Sequence, residues 1–177
     1  MLAFRVKKRK RDNVSEDLLL LKKKRMKFPK YIYSTEDQLL YYEFTSEGPK
    51  GKIKKIVEYT PTSFENVYNL AFGDYDEEID GINDTSVTNN GDSQKVLATV
   101  ASTVYAFTGR YPNAVVLATG STNVRTRLYR MGITNNLTEI ATDFRVFGLK
   151  DDAWEEFLVG EDYEAFLITR KKNKLKI

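Results

Sequence analysis

The chain has 177 residues, no cysteine and no histidine, and its 28 Lys/Arg against 25 Asp/Glu give a formal charge of +3. These absences exclude a disulfide framework, zinc held by thiolate or imidazole, a cysteine nucleophile and a Ser-His-Asp triad. Any metal would be a hard, oxygen-liganded ion such as Mg²⁺, Mn²⁺ or Ca²⁺.

The charge is divided along the chain. Residues 1–30 hold 12 Lys/Arg and 3 Asp/Glu, Tyr31–Thr169 hold 11 and 22, and the last eight residues hold five Lys/Arg. The organisation expected is a basic leader over 1–26, one domain over 27–169 and a basic tail over 170–177. The leader places the short run Leu18–Leu21 between Lys7–Arg11 and Lys22–Arg25. That run is too short for a secretory signal or a membrane span, and the expected location is the cytoplasm. Two readings of the leader stand side by side. It is a disordered or non-native extension, with Met26 as an alternative start, or an arm that neutralises phosphates.

Tyr31–Thr45 is rich in Tyr, Ile and Phe, and Leu39–Thr45 reads as a strand. Gly48–Gly51 carries a turn signal, and Lys52–Tyr59 reads as the returning strand, ended by Pro61. Val67–Phe72 reads as a third strand. Gly73–Asn90 is polar and acidic. Its partial calcium-loop spacing lacks the terminal Glu, so it reads as a solvated loop.

Asp92–Thr108 is the clearest helix, with Val96, Val100 and Val104 at spacing four. Asn90 or Asp92 is placed to cap it and Gly109 to end it. Ala114–Thr119 is short and apolar on both faces, as a central buried strand is. A second helix is expected over Asn123–Met131, capped by Ser121 or Thr122 and stopped by Gly132. A short third follows from Asn135 or Asn136 through Ile140. Phe144–Gly148 reads as a strand, Trp154, Phe157 and Leu158 as a short helix, and Tyr163–Thr169 as the last strand. A meander followed by a helix, a buried strand and further helices makes an α+β or α/β domain with helices packed on one mixed sheet.

One constellation stands out. Gly120, Ser121 and Thr122 form a strand-to-helix turn, and Arg125, Arg127 and Arg130 follow within ten residues. Backbone N–H groups, hydroxyls and guanidiniums at a helix start suit an anion, either a nucleotide or nucleic acid. The competing reading is structural. Ser121 or Thr122 caps the helix, and the arginines pair with residues 74–84 or with Glu155 and Glu156. Tyr41, Tyr42 and Tyr59 fall in strands whose faces the sequence leaves open.

The order of meander, helix, central strand and helix resembles the ribonuclease H-like fold over about residues 39–131. The wording that carries it is Phe44–Pro49, Thr88–Asn90 and Val115–Val124. That resemblance implies two divalent ions held by clustered carboxylates. Its acidic positions fall here on Ser46, on Ser93 or Asp92, and on Gly120, with Glu47 one residue off. The resemblance therefore implies a fold without the nuclease chemistry. A further resemblance is to an uncharacterised family of small bacterial proteins, mainly of Bacteroidota, over about residues 27–172. Glu47–Gly51, Asn90–Val100, Gly120–Arg130 and Tyr163–Leu167 carry it, and it implies no activity.

The function expected from these readings is a non-catalytic interaction module that binds an anionic ligand at Gly120–Arg130. One alternative is a phosphate-acting enzyme or nuclease with Mg²⁺ held by Glu43, Glu47 and Asp92, with Asp143 a further candidate. The other is a toxin–antitoxin or phage-defence component whose acidic body binds a basic protein partner.

Overall fold

The structure is a computed structural model, and it describes residues 28–83 and 88–173. The expectations for residues 1–26 and for the end of the basic tail lie outside them.

The meander forms from tight turns and alternating side chains. β1 (Ser34–Thr35), β2 (Tyr41–Gly48), β3 (Gly51–Pro61) and β4 (Val67–Asp76) pair antiparallel in sequence order. Gly48 faces Gly51 across the two-residue turn, and Gly51 has φ +91°, a conformation glycine adopts without penalty. The turn fixes the register, and the register fixes the faces. Tyr42, Phe44 and Ser46 of β2 lie on the buried face with Val57 and Tyr59 of β3 and Leu70 and Phe72 of β4. Tyr42 and Tyr59 are thus core residues. Tyr41, one residue away, lies on the opposite face and is half-buried.

α1 (Ser93–Arg110) returns the chain across the sheet, so that β6 (Val115–Thr119) pairs parallel with β4. β9 (Ala165–Arg170) pairs antiparallel with β6 on its other side. β6 therefore lies inside the sheet, which explains its apolar composition on both faces. α2 (Asn123–Asn135) and α3 (Leu137–Asp143) lead into β7 (Phe144–Lys150) and β8 (Ala153–Glu156). The strand order is β1-β2-β3-β4-β6-β9-β7-β8, and the short β5 (Gly81–Asn83) pairs with the end of β4. This is an α+β domain on one mixed sheet.

Several boundaries depart from the sequence reading. Trp154 lies in β8, not in a helix, because Ala153–Glu156 pairs with Phe147–Lys150. Asp151 and Asp152, both at positive φ, make the reversal that this pairing needs. The described first part of the acidic segment, 73–83, is strand and turn rather than a plain loop. Asp74–Asp76 continues β4 and folds back onto Gly81–Asn83. Gly109 lies within α1, which ends at Arg110 with Tyr111 as its C-cap. Gly132 lies within α2, which runs three residues past it. Leu97 packs against Gly132, with a methyl 3.3 Å from where a β-carbon would stand. The absent side chain there serves helix–helix contact rather than termination.

The core lies between the sheet and α1. Tyr59 stacks on Phe107 at 4.0 Å between ring centroids, and the Tyr59 hydroxyl shares a 2.9 Å hydrogen bond with Thr103. Burial pushes the Tyr59 hydroxyl pKa well above its ordinary value, so the phenol stays neutral. Where α1, α2 and α3 meet the sheet, packing leaves an apolar cavity of about 40 Å³. Leu97, Ala101, Ala118, Tyr129 and Ile140 are among the residues that line it.

Candidate functional site

The turn Gly120–Thr122 links β6 to α2 as expected, and Thr122 is the N-cap, accepting from the Arg125 N–H at 3.3 Å. Ser121 and Asn123 are exposed beside it. The three arginines do not converge on this turn.

Arg125 points inward and is 7% exposed. β4 and β6 stay paired only as far as Asn69 and Leu117, so the carbonyls of β4 beyond that point need other partners. The Arg125 guanidinium donates to the Phe72 carbonyl at 2.9 Å and also to the Asn83 carbonyl. Tyr129, one turn on, donates to the Leu70 carbonyl at 3.0 Å. Residues i and i+4 of α2 thus close the open edge of β4 side by side. Gly73 leaves the space: a β-carbon there would lie 2.7 Å from Ile82 and 3.2 Å from the guanidinium nitrogens. Arg125 thus has the structural bonding that the competing reading expects, part of it in the segment 74–84.

Arg130 pairs with Asp162 and donates to the Glu161 carbonyl at 3.2 Å, rather than meeting Glu155 or Glu156. Arg127 is exposed on the outer side of the helix. A three-guanidinium cradle is therefore not formed.

The carboxylates of the metal alternative are also kept apart. Glu43 and Glu47 lie on the face of β2 opposite Ser46 and pair with Lys54 at 3.0 Å and Lys52 at 3.3 Å. Asp92 lies on the other face. It is the N-cap residue of α1, as expected, but its side chain accepts from the Ser46 hydroxyl at 2.6 Å and the Tyr31 hydroxyl at 2.7 Å rather than from the helix's own N–H groups. Asn90 completes the knot, donating to Ser46 at 3.1 Å and to the Gly51 carbonyl at 3.0 Å and accepting from the Lys50 N–H at 2.8 Å. Burial is the main cause that raises the Tyr31 hydroxyl pKa, and Asp92 adds to it. Asp143 ends α3 and interacts with Tyr105, on another part of the fold. Among the described residues, no group of three or more carboxylates is placed to hold a metal ion.

Sequence reasoning missed a different feature. Phe157 and Tyr163 are buried, and Tyr163 lies across Gly148, where a β-carbon would collide with its ring. The Tyr163 hydroxyl accepts from the Leu158 N–H at 3.1 Å, and the Glu161 N–H donates to the Leu158 carbonyl at 3.4 Å. Burial is the main cause that raises the Tyr163 hydroxyl pKa, and a hydrogen bond with Glu155 adds to it. Between these anchors Leu158 and Val159 are each 60% exposed. Arg130 ties this loop to α2, whose outer side shows Val124, 60% exposed, and Met131. Along the chain, Leu158 and Val159 are flanked by Asp151, Asp152, Glu155, Glu156, Glu161, Asp162 and Glu164. The clue in the sequence was two adjacent aliphatics within an acidic stretch, but the expectation of a helix there concealed it.

Among the described residues, no helix is long and apolar enough to cross a membrane. No curated protein and no solved structure matches the chain. A family model described as a family of unknown function (DUF6934) matches residues 27–171, and the chain belongs to that family.

Proposed function

We propose that this domain is a non-catalytic interaction module of the cytoplasm that recognises a basic protein segment through α2 and the loop after β8. One observation carries this reading. Leu158 and Val159 are held out from a loop that buried Phe157 and Tyr163 anchor on both sides. Aliphatics that a firm frame keeps in water are characteristic of recognition surfaces, and the surrounding carboxylates favour a cationic partner. The placement of Arg125 and Arg130 favours this over a phosphate ligand at the Gly120 turn.

Titrations followed by amide and methyl resonances test it, with three probes: an amphipathic Lys/Leu peptide, Mg-ATP and a short oligonucleotide. The peptide is expected to move Val124, Leu158 and Val159, and Leu158→Asp with Val159→Asp to abolish the effect. Saturable shifts at Ser121–Val124 with ATP or the oligonucleotide, lost in Arg127→Ala, would overturn the reading in favour of an anion site.

A further inference from the structure

At the far edge of the sheet from β8, the strand β2 is only partly covered. The Gly48–Gly51 turn closes the β2–β3 hairpin, and antiparallel pairing alternates from there. Tyr42, Phe44 and Ser46 therefore bond to β3, while Glu43, Thr45 and Glu47 turn their N–H and C=O groups to the outer edge. Glu43 is paired with Ser34 of β1. At Glu47 the Tyr31 hydroxyl takes the place of a strand, accepting from the N–H at 3.0 Å and lying 3.2 Å from the carbonyl. Between them, the outward N–H and C=O of Thr45 have no partner among the described residues.

The chain before β1 could have covered this gap, but it leans onto α1 instead. The Tyr31 N–H donates to the Thr99 hydroxyl at 2.8 Å, and Ile32 is left 96% exposed. The result is a cleft of about 640 Å³ between residues 30–34 and the edge of β2. From Glu43 to Glu47 is four strand steps, about 13 Å, and both ends are closed. A strand cannot run through it, but about three extended residues fit.

The charges in the cleft are unequal in their bonding. Glu43 is held by Lys54 at 3.0 Å and Glu47 by Lys52 at 3.3 Å. Lys30 and Lys95 also line the cleft, and neither holds a carboxylate among the described residues. Lys95 lies 3.8 Å from the centre of the Tyr31 ring, which keeps its ammonium at the cleft wall. An open backbone pair selects an extended residue, and two uncommitted ammonium groups select a carboxylate.

We propose that this cleft binds a short acidic peptide in extended form. One residue exchanges both backbone hydrogen bonds with Thr45, and a neighbouring Asp or Glu side chain meets Lys30 and Lys95. This site goes beyond the proposed function, which concerns the opposite edge of the sheet and a basic partner.

Amide resonances of the full-length protein are followed during titration with acetyl-Ala-Glu-Ala-amide, its Lys counterpart, a version N-methylated on both alanines, and acetate. The acidic peptide is expected to give saturable shifts at Ile32, Thr45 and Lys95. N-methylation should weaken binding about fivefold to tenfold, as loss of a backbone hydrogen bond does. Thr45→Pro should do the same, since its N–H faces outward and the β2–β3 ladder does not use it. The Lys peptide, and Lys30→Ala with Lys95→Ala, should bind at least severalfold more weakly. Equal affinity for the N-methylated peptide in the unaltered protein would overturn the backbone pairing, whatever Thr45→Pro does to the fold. Acetate that displaces the peptide at equal concentration would reduce the site to a carboxylate contact and overturn the proposal. Shifts centred on Leu158 and Val159 would overturn the cleft as the site. No saturable shift with any of the peptides would overturn it outright, and would leave the surface at α2 and β8 untouched.

Discussion

Two regions of this domain handle polarity in opposite ways. Around the β2–β3 turn, Ser46, Asn90, Asp92 and Tyr31 form a closed set of hydrogen bonds, and Lys55 pairs with Asp74 while only 6% exposed. Residue types that suggest chemistry in a sequence serve there to hold a loop and a helix start on the sheet. At the α2 and β8 side, Val124, Leu158 and Val159 are exposed, the last two within a stretch rich in acids. The first region shows that a polar cluster with its bonding satisfied internally is architecture. The second shows that function is better sought where the usual partition of polar and apolar groups is reversed.

The largest expected effect tests the structural role of Arg125. Arg125→Ala removes the guanidinium bonds to the buried Phe72 carbonyl and the part-buried Asn83 carbonyl, and should lower stability by about 3 kcal/mol in urea denaturation, given about 1.5–3 kcal/mol for a hydrogen bond to a charged group. A loss under 1 kcal/mol would mean that the guanidinium is not needed to close β4, and would reopen the anion reading.

Next comes the polar knot. Asn90→Ala removes three hydrogen bonds at a residue 2% exposed and should cost about 2 kcal/mol. Asp92→Asn should change the urea midpoint without creating or removing any Mg²⁺ dependence. A metal-linked shift in that variant would show that Asp92 has a role beyond the knot.

Ala118→Val works in the other direction. It places a β-branched residue in a strand and methyl groups into the apolar cavity, with a gain of about 1 kcal/mol expected from filling a void. Destabilisation would mean that the cavity cannot accept the methyls without moving Tyr129 or Ile140.

At the exposed surface, Leu158→Ser with Val159→Ser should alter stability by less than about 0.5 kcal/mol, as surface substitutions do, while abolishing peptide binding. A large stability loss would show the pair to be part of the core and would erase the contrast between the two regions.

The smallest effect is a pH dependence. The bond from Lys150 holds the Glu161 carboxyl below its usual range, and the same bond raises Lys150. For Glu161, the stabilisation is present above its unfolded-state value of about 4.3 and is lost as pH falls through the lower folded value. For Lys150 it is present below about 10.4 and is lost as pH rises through the higher folded value. Amide protection at Leu158 and Glu164, the exchange rate relative to the intrinsic rate at the same pH, should therefore fall only at the acidic and alkaline extremes. Protection already lost between pH 5 and 8 would show that another group anchors the loop.

Much of the fold was legible because local physics decided it. The Gly48–Gly51 turn fixed a hairpin, Val96, Val100 and Val104 marked the long helix, and Ala114–Thr119 announced a strand apolar on both faces. What local rules misjudged had a tertiary cause. Gly109 and Gly132 carried the look of helix stops, but packing against Leu97 and continued hydrogen bonding took α1 and α2 past them. Trp154 joined a strand because β7 offered it a partner.

The sequence by itself determined which chemistry the chain lacks, the division of its charge, and the α+β succession of strands and helices, since these follow from composition and periodicity. Only the tertiary structure decided what the arginines do and where the aliphatics go. A guanidinium is equally suited to a phosphate and to two backbone carbonyls, and the choice depends on whether a neighbouring strand edge is left open. β4 and β6 separate after Asn69 and Leu117, a fact of pairing between segments almost fifty residues apart, and Arg125 lies in the gap they leave.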